Sequence, residues 1–285
     1  MGTYAGMNRV LRAISIAIFA LLTCVGFGSA QGYDIENIAK IDILPGWRQA
    51  DGSHIAALRI RLAQGWKTYW RAPGESGIPP GFQWVGSDNL QGVRLLWPVP
   101  EVFDSAGMQT IGYHDELILP IVFFPKADGQ EITLEGRVAL GVCKDVCMPM
   151  EANFSAVLTT QGRAEGSNLI QRALENLPDT GRQAGLSAIS CDIEPISDGM
   201  RITARLTLPR VAKDEAVVFE TNDQGVWVSE AKVTREGGVL TAVADLVPPS
   251  SAPFVLSRSD IRITVLGQNN GRGHGVDIAG CVSGS

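Results

Sequence analysis

The chain has 285 residues, 30 of them acidic and 24 basic, for a formal net charge of −6. That length accommodates two modest domains or one large one, and the acidic balance argues against nucleic acid or an anionic membrane surface as partner. Folded proteins and small molecules are left.

Arg9 and Arg12 are the only charged residues among the first thirty, and they precede an apolar run from Ala13 to Phe27 broken by Ser15, Thr23 and Gly26. Gly28, Ser29 and Ala30 then supply the small residues a signal peptidase reads. The pattern predicts a cleaved secretory signal over residues 1–30. The run is shorter than the ~20 residues a membrane span needs. Cleavage would leave 255 residues carrying 22 basic and 30 acidic side chains, a net charge of −8. Cys24 falls in the removed segment. Cys143, Cys147, Cys191 and Cys281 stay, and an even number in an exported chain reads as disulfides in an oxidising compartment, the periplasm.

The first region, residues 31–162, is rich in expected strands. Leu58, Ile60 and Leu62 alternate with Arg59 and Arg61, the period of a half-buried strand. Leu117 to Phe124 is nearly continuous apolar sequence, with Pro120 pointing to an edge or a bulge. Ile132, Leu134, Val138, Leu140 and Val142 alternate with polar residues, and Phe154, Ala156 and Leu158 fit a last strand. Short strands with Gly- and Pro-rich connections such as Gly74 to Gly81 predict a β-sandwich. Trp66, Tyr69, Trp70, Trp84 and Trp97 are expected mainly in its core.

The segment Cys143-Lys144-Asp145-Val146-Cys147-Met148-Pro149-Met150 demands a chemical account. Alternation places Cys143 at the end of a strand and Cys147 in the following turn, both near the surface. An accessible thiolate attacking a sulfur is what disulfide exchange requires, and a structural disulfide is the competing reading. A second alternative is Cu(I), since Cys143, Cys147, Met148 and Met150 form a soft-ligand set. Zinc fits less well, with no histidine or third cysteine adjacent.

Ser167 to Leu177 predicts a helix within a linker spanning residues 163–186. Leu169, Ile170, Ala173, Leu174 and Leu177 share a face, Ser167 is placed to cap the start, and Pro178 follows the end. From 187 to 285 the strand grammar resumes. Met200, Ile202, Ala204, Leu206 and Leu208 alternate with polar residues, and Val226 to Val233, Val239 to Leu246 and Ile261 to Leu266 are further candidates. Gly267 to Gly275 reads as a hairpin loop. The fold class is therefore all-β, two sandwiches joined by a short helix.

A Cys191–Cys281 bridge would close a long loop, worth about 4–5 kcal/mol in the chain-entropy model, whereas Cys143–Cys147 offers roughly 2 kcal/mol before strain. The long bridge suits a structural disulfide and the short one a reagent. His54, His114 and His274 are scattered and match no catalytic pattern.

Gly65-Trp66-Lys67-Thr68-Tyr69-Trp70-Arg71-Ala72-Pro73-Gly74-Glu75-Ser76-Gly77-Ile78-Pro79-Pro80, then Trp97 to Pro120, then Cys143 to Glu151, resemble in order the N-terminal periplasmic domain of the thiol:disulfide interchange protein DsbD. The two-domain layout is similar to the periplasmic region of ScsB, a DsbD relative linked to copper tolerance. The resemblance implies an immunoglobulin-like sandwich with a redox cysteine pair, Cys143 and Cys147, and calls for no cofactor. It implies electron transfer from a membrane-embedded donor to periplasmic thioredoxin-fold proteins, with Cys147 forming the mixed disulfide. Phe103 to Met108 matches the loop that caps the pair, making Phe103 and Met108 candidate cap residues. The three-residue cysteine spacing is shorter than in the best-known DsbD domain. The sequence holds neither the family's membrane domain nor its thioredoxin-like domain, so a separate donor of the DsbD/CcdA type is expected.

Overall fold

A computed structural model describes residues 35–105, 108–160, 162–223, 225–249, 256–269 and 272–281. The expected signal segment, with Cys24, lies outside them. No helix among the described residues is long and apolar enough to cross a membrane. A helical turn, Ile35–Ile38, leads into the first strand.

The first sandwich contains β1 (Ala39–Arg48), β2 (His54–Leu62), β3 (Lys67–Tyr69), β4 (Gly81–Gln83), β5 (Leu90–Leu95), β6 (Glu101–Ser105), β7 (Met108–His114), β8 (Glu116–Pro125), β9 (Ile132–Cys143) and β10 (Cys147–Leu158). One sheet has the order β1-β2-β8-β5, and the other β10-β9-β3-β7-β6 with β4 also on β9. Ala56, Leu58, Leu119 and Phe123 of the first sheet meet Leu134, Leu140 and Val142 of the second in a common core that includes Trp66, Trp70 and Trp97.

The long apolar run in β8 has a tertiary cause. Leu117, Leu119, Ile121 and Phe123 face the sandwich core. Val122, Ile118 and Phe124 face outward, into a second cluster with Leu44, Ile55 and Ala57 that is closed by the helix Ser167–Glu175 through Leu169, Ile170 and Leu174. A strand covered on both faces loses its alternation. The expected edge or bulge at Pro120 is not what the sheet shows, because β8 is internal. The Pro120 carbonyl accepts from Leu96 N–H, so its backbone polar edge faces the β5 side, one residue beyond the last β5–β8 pair at Leu95 and Ile121. The missing N–H there interrupts no ladder.

The helix forms where expected, but Ser167 does not cap it. Gly166, in the left-handed region at φ 83°, occupies that position, and Ser167 Oγ donates to the Ala164 carbonyl at 2.7 Å.

The second sandwich contains β11 (Asp179–Thr180), β12 (Ala188–Pro195), β13 (Met200–Thr207), β14 (Glu215–Glu220), β15 (Trp227–Val228), β16 (Lys232–Glu236), β17 (Val239–Val247), β18 (Arg262–Asn269) and β19 (Arg272–Ala279). Its sheets are β11-β19-β18-β14 and β12-β13-β17-β15, with β16 also on β17. Ile202, Ala204, Leu206, Leu240 and Ala242 face Val217, Phe219, Ile263 and Val265 across its core. The single strand expected over Val226 to Val233 is instead two short ones, separated where Ser229 N–H bonds to the Asp245 carbonyl and Asp245 N–H to Ser229 Oγ. The glycine-rich run is mostly the paired ends of β18 and β19 rather than loop. Cys191 on β12 and Cys281 just beyond β19 are disulfide-bonded with Cα atoms 5.9 Å apart, joining the two sheets.

The outer face of the β14–β18 sheet lies on the first sandwich. Leu266 is buried in the first sandwich's core, and Ala216 and Val218 pack against it. On β14 and β18 the intervening residues, Val217, Phe219, Ile263 and Val265, serve the second core.

Candidate functional site

Cys143 ends β9 and Cys147 opens β10, directly opposite each other in an antiparallel hairpin whose loop is only Lys144-Asp145-Val146. Cys147 is thus a strand residue, not a turn residue as expected, and the pair is disulfide-bonded with Cα atoms 4.1 Å apart. Period-2 alternation decides what each side chain faces. Leu140 and Val142 point into the core, so Gly141 and Cys143 point out of it. On β10 the same rule sends Cys147 and Pro149 outward while Met148 and Met150 pack toward the core. This separates the proposed soft-ligand set. Met148 and Met150 lie on the opposite face of the sheet from Cys143 and Cys147, so the four do not converge on one ion.

The two cysteines differ in accessibility. Cys143 is 6% exposed, whereas Cys147 is exposed, as is the whole loop before it. Val146, at the tip, is 67% exposed.

Residues on the neighbouring strands complete the site. Lys67 of β3 pairs with Cys143 on one side and with His114 of β7 on the other. Cys147, Cys143, Lys67 and His114 therefore form one row across four adjacent strands, all on the outward face, because directly opposed antiparallel residues share a face. Phe103 of β6 flanks this row. Its ring centre is 4.3 Å from that of His114, and Lys67 Nζ lies 4.9 Å above it. His114 Nδ1 is 3.2 Å from Glu101 Oε2. The side chain of Met108, the other expected cap residue, lies outside the described part.

Tyr69, two residues beyond Lys67, shares the outward face, and its hydroxyl is 2.9 Å from Cys147 Sγ. Its ring can lie there because Gly141 has no side chain. A Cβ on Gly141 would stand 2.8 Å from Tyr69 Cδ2 and 2.7 Å from Ile78 Cβ. Ile78 belongs to the connection between β3 and β4, which covers the ring and leaves Tyr69 only 2% exposed. Burial pushes the Tyr69 phenol above its ordinary range, so the hydroxyl keeps its proton and can donate to sulfur. Thr68, facing the other way, donates through Oγ1 to the Gly141 carbonyl at 2.9 Å.

Residues 40–159 match the family model described as the N-terminal part of the thiol:disulfide interchange protein DsbD. The match includes both hairpin cysteines, Lys67, Tyr69, Phe103 and His114, and it ends before the helix Ser167–Glu175. Among solved structures the chain is similar to the N-terminal periplasmic domain of ScsB from Proteus mirabilis, with a TM-score of 0.62 and 24% identity over 86% of this chain and 92% of that one. At that identity the likeness is one of fold, and its coverage takes in the second sandwich as well as the segment that matches the family model. A search of curated protein sequences gives no match.

Sequence reasoning singled out the cysteines but not Lys67, Tyr69 or His114 as site residues. The signal was present in Trp66-Lys67-Thr68-Tyr69-Trp70, where Trp66 and Trp70, four apart and so on one face of a strand, put Lys67 and Tyr69 together on the other. What was missing was the register that sets β3 beside β9. His54 stays apart: it is buried with Nε2 2.6 Å from the Pro45 carbonyl oxygen, and burial depresses its pKa.

Proposed function

We propose that this protein is a periplasmic thiol–disulfide exchange module, a protein-disulfide reductase that passes electrons from a membrane donor of the DsbD/CcdA type to thioredoxin-fold proteins. The observation that carries this reading is the asymmetry of the pair: an exposed Cys147 sulfur beside a Tyr69 hydroxyl, bonded to a buried Cys143 sulfur. A purely structural disulfide has no need to present one sulfur to solvent beside a hydrogen-bond donor.

In the reduced state the Cys147 thiolate attacks one sulfur of the partner's disulfide, forming a mixed disulfide and releasing the partner's other sulfur as a thiolate. Cys143, held directly across the hairpin, loses its proton and attacks Cys147 Sγ. The intramolecular disulfide forms and the partner leaves with both sulfurs reduced. Two electrons and two protons have moved, and the donor resets the pair by the reverse exchange. The opposed register gives Cys143 a high effective concentration for the second attack, and the Lys67 ammonium one strand away favours the thiolate it must become.

Trapping tests the reading. Cys143→Ser should accumulate a mixed disulfide with thioredoxin-fold proteins in a periplasmic extract, and Cys147→Ser should form little. Wild-type transfer rates in both single variants would end the proposal.

A further inference from the structure

Tyr69 is followed by a core residue and then by a residue that belongs to the other sandwich. Trp70 is fully buried in the first core. Arg71 leaves it and reaches across: its Nε donates to Glu220 Oε1 at 2.8 Å, and its Nη2 donates to Glu220 Oε2 at 2.9 Å and to Thr264 Oγ1 at 3.3 Å. Asp277 Oδ2 lies 3.8 Å from the same Nη2. Three adjacent strands of the second sandwich, β14, β18 and β19, thus each present an acceptor to one guanidinium. The Arg71 and Glu220 side chains are only 13% and 20% exposed, so this is a bidentate pair largely removed from water, the arrangement in which an arginine fixes geometry as well as charge.

A second contact holds the same connection farther along, where Glu230 N–H donates to Glu75 Oε1 at 3.3 Å. Between the two anchors the chain is pressed onto β7. A Cβ on Gly74 would come within 2.6 Å of the Gln109 carbonyl oxygen, and Ile111 N–H donates to the Pro73 carbonyl at 3.0 Å. The connection then brings Ile78 onto Gly141 beside the Tyr69 ring. Both contacts from the second sandwich therefore fall on the connection that begins at Tyr69, the residue whose hydroxyl touches Cys147.

We propose that the second sandwich is a clamp on the cysteine site, and that Arg71 is its positioning residue. Held by Glu220, Thr264 and Asp277, Arg71 fixes the Tyr69–Arg71 segment so that the Tyr69 hydroxyl stays on the Cys147 sulfur. The proposal rests on the exchange reading only in taking Cys147 as the reacting sulfur. It gives the second sandwich, which lies outside the DsbD N-terminal match, a part in the chemistry without contributing an atom to the hairpin.

The test reads Cys147 itself, without any protein partner. The reduced full chain is alkylated with iodoacetamide across a pH series, and the Cys147 peptide is followed by mass spectrometry. Arg71→Gln and Glu220→Gln should each move the alkylation midpoint upward, in the same direction as Tyr69→Phe and by no more than its shift of about one pH unit. In a Tyr69→Phe background neither should add anything. The other charged groups on this face, Lys67, His114, Glu101, Lys144 and Asp145, are unchanged in all these variants, so they do not account for a shift. Glu220→Gln sits on the second sandwich and keeps the side chain's shape, so it carries the test if Arg71→Gln does not fold. A lowered melting temperature with a wild-type midpoint would reduce the contact to structural glue and overturn the clamp. An equal shift with and without the Tyr69 hydroxyl would overturn it too. Failure of partner trapping with this coupling intact would instead remove the exchange reading and leave the clamp standing.

Discussion

Replacing Tyr69 with phenylalanine removes one oxygen and leaves the ring seated on Gly141. The lost contact is the 2.9 Å approach to Cys147 Sγ. A hydrogen bond to a charged acceptor is worth about 1.5–3 kcal/mol. Sulfur accepts weakly and this sulfur is exposed, with water as a substitute, so the lower end applies: about 1.5 kcal/mol, close to one pH unit. The sign follows from the donor. Tyr69 stabilises the thiolate over the thiol, so its removal moves the midpoint of Cys147 reactivity upward. Well below that midpoint the thiolate fraction falls about tenfold, but the remaining thiolate is more basic and, with a Brønsted slope near 0.4–0.5, about threefold more nucleophilic; the net loss is about three- to fourfold. Well above both midpoints the variant should react about threefold faster than wild type. The two pH–rate curves therefore cross, which a general loss of structure would not produce. Rapid-quench alkylation of reduced protein, resolved at the Cys147 peptide, measures both limbs. Coincident curves, or a variant curve displaced to lower pH, would show that the hydroxyl does not donate to the thiolate.

Gly141→Ala should act on the same atoms from beneath: its Cβ would stand 2.8 Å from Tyr69 Cδ2, so an overpacking cost of about 1–3 kcal/mol in chemical denaturation should accompany an upward shift like that of Tyr69→Phe. Graded dithiothreitol followed by non-reducing peptide mapping should open Cys143–Cys147 first, because Cys147 is exposed and Cys191 is fully buried; the reverse order would exchange the roles assigned to the two bridges. Removing the long bridge with Cys191→Ala and Cys281→Ala should cost about 2–5 kcal/mol of stability, while Cys147 in the folded fraction keeps its wild-type alkylation rate.

Local alternation was enough to place the longest strands of each sandwich, such as β9, β13 and β17. The period in Ile202, Ala204 and Leu206, or in Leu140 and Val142, follows from one wet face and one dry face, and that pattern is written residue by residue. The same local rule made the cysteines conspicuous. It failed where burial comes from elsewhere in the chain. Nothing near Leu117 to Phe124 announces that a helix some fifty residues later covers the strand's second face, so Pro120 points to an edge or a bulge where the sheet continues past it. The methionines after Cys147 looked like neighbours of its sulfur because they are neighbours in sequence, and the pleat turns them to the opposite face.

The cysteine pair, the all-β class and the helix were determined by the sequence itself, through composition, spacing and period. Which side chains meet the cysteines was decided only by tertiary structure. Lys67, Tyr69 and His114 reach the hairpin through strand register, and Arg71 reaches Glu220, Thr264 and Asp277 across two sandwiches. Register and docking are properties of pairs of segments far apart in the chain: a one-residue slip in β3 would exchange Lys67 and Tyr69 for Thr68 on the outward face. What prevents that slip is the burial of Trp66 and Trp70 in a core built mostly by other strands, and that energy exists only once the chain has folded.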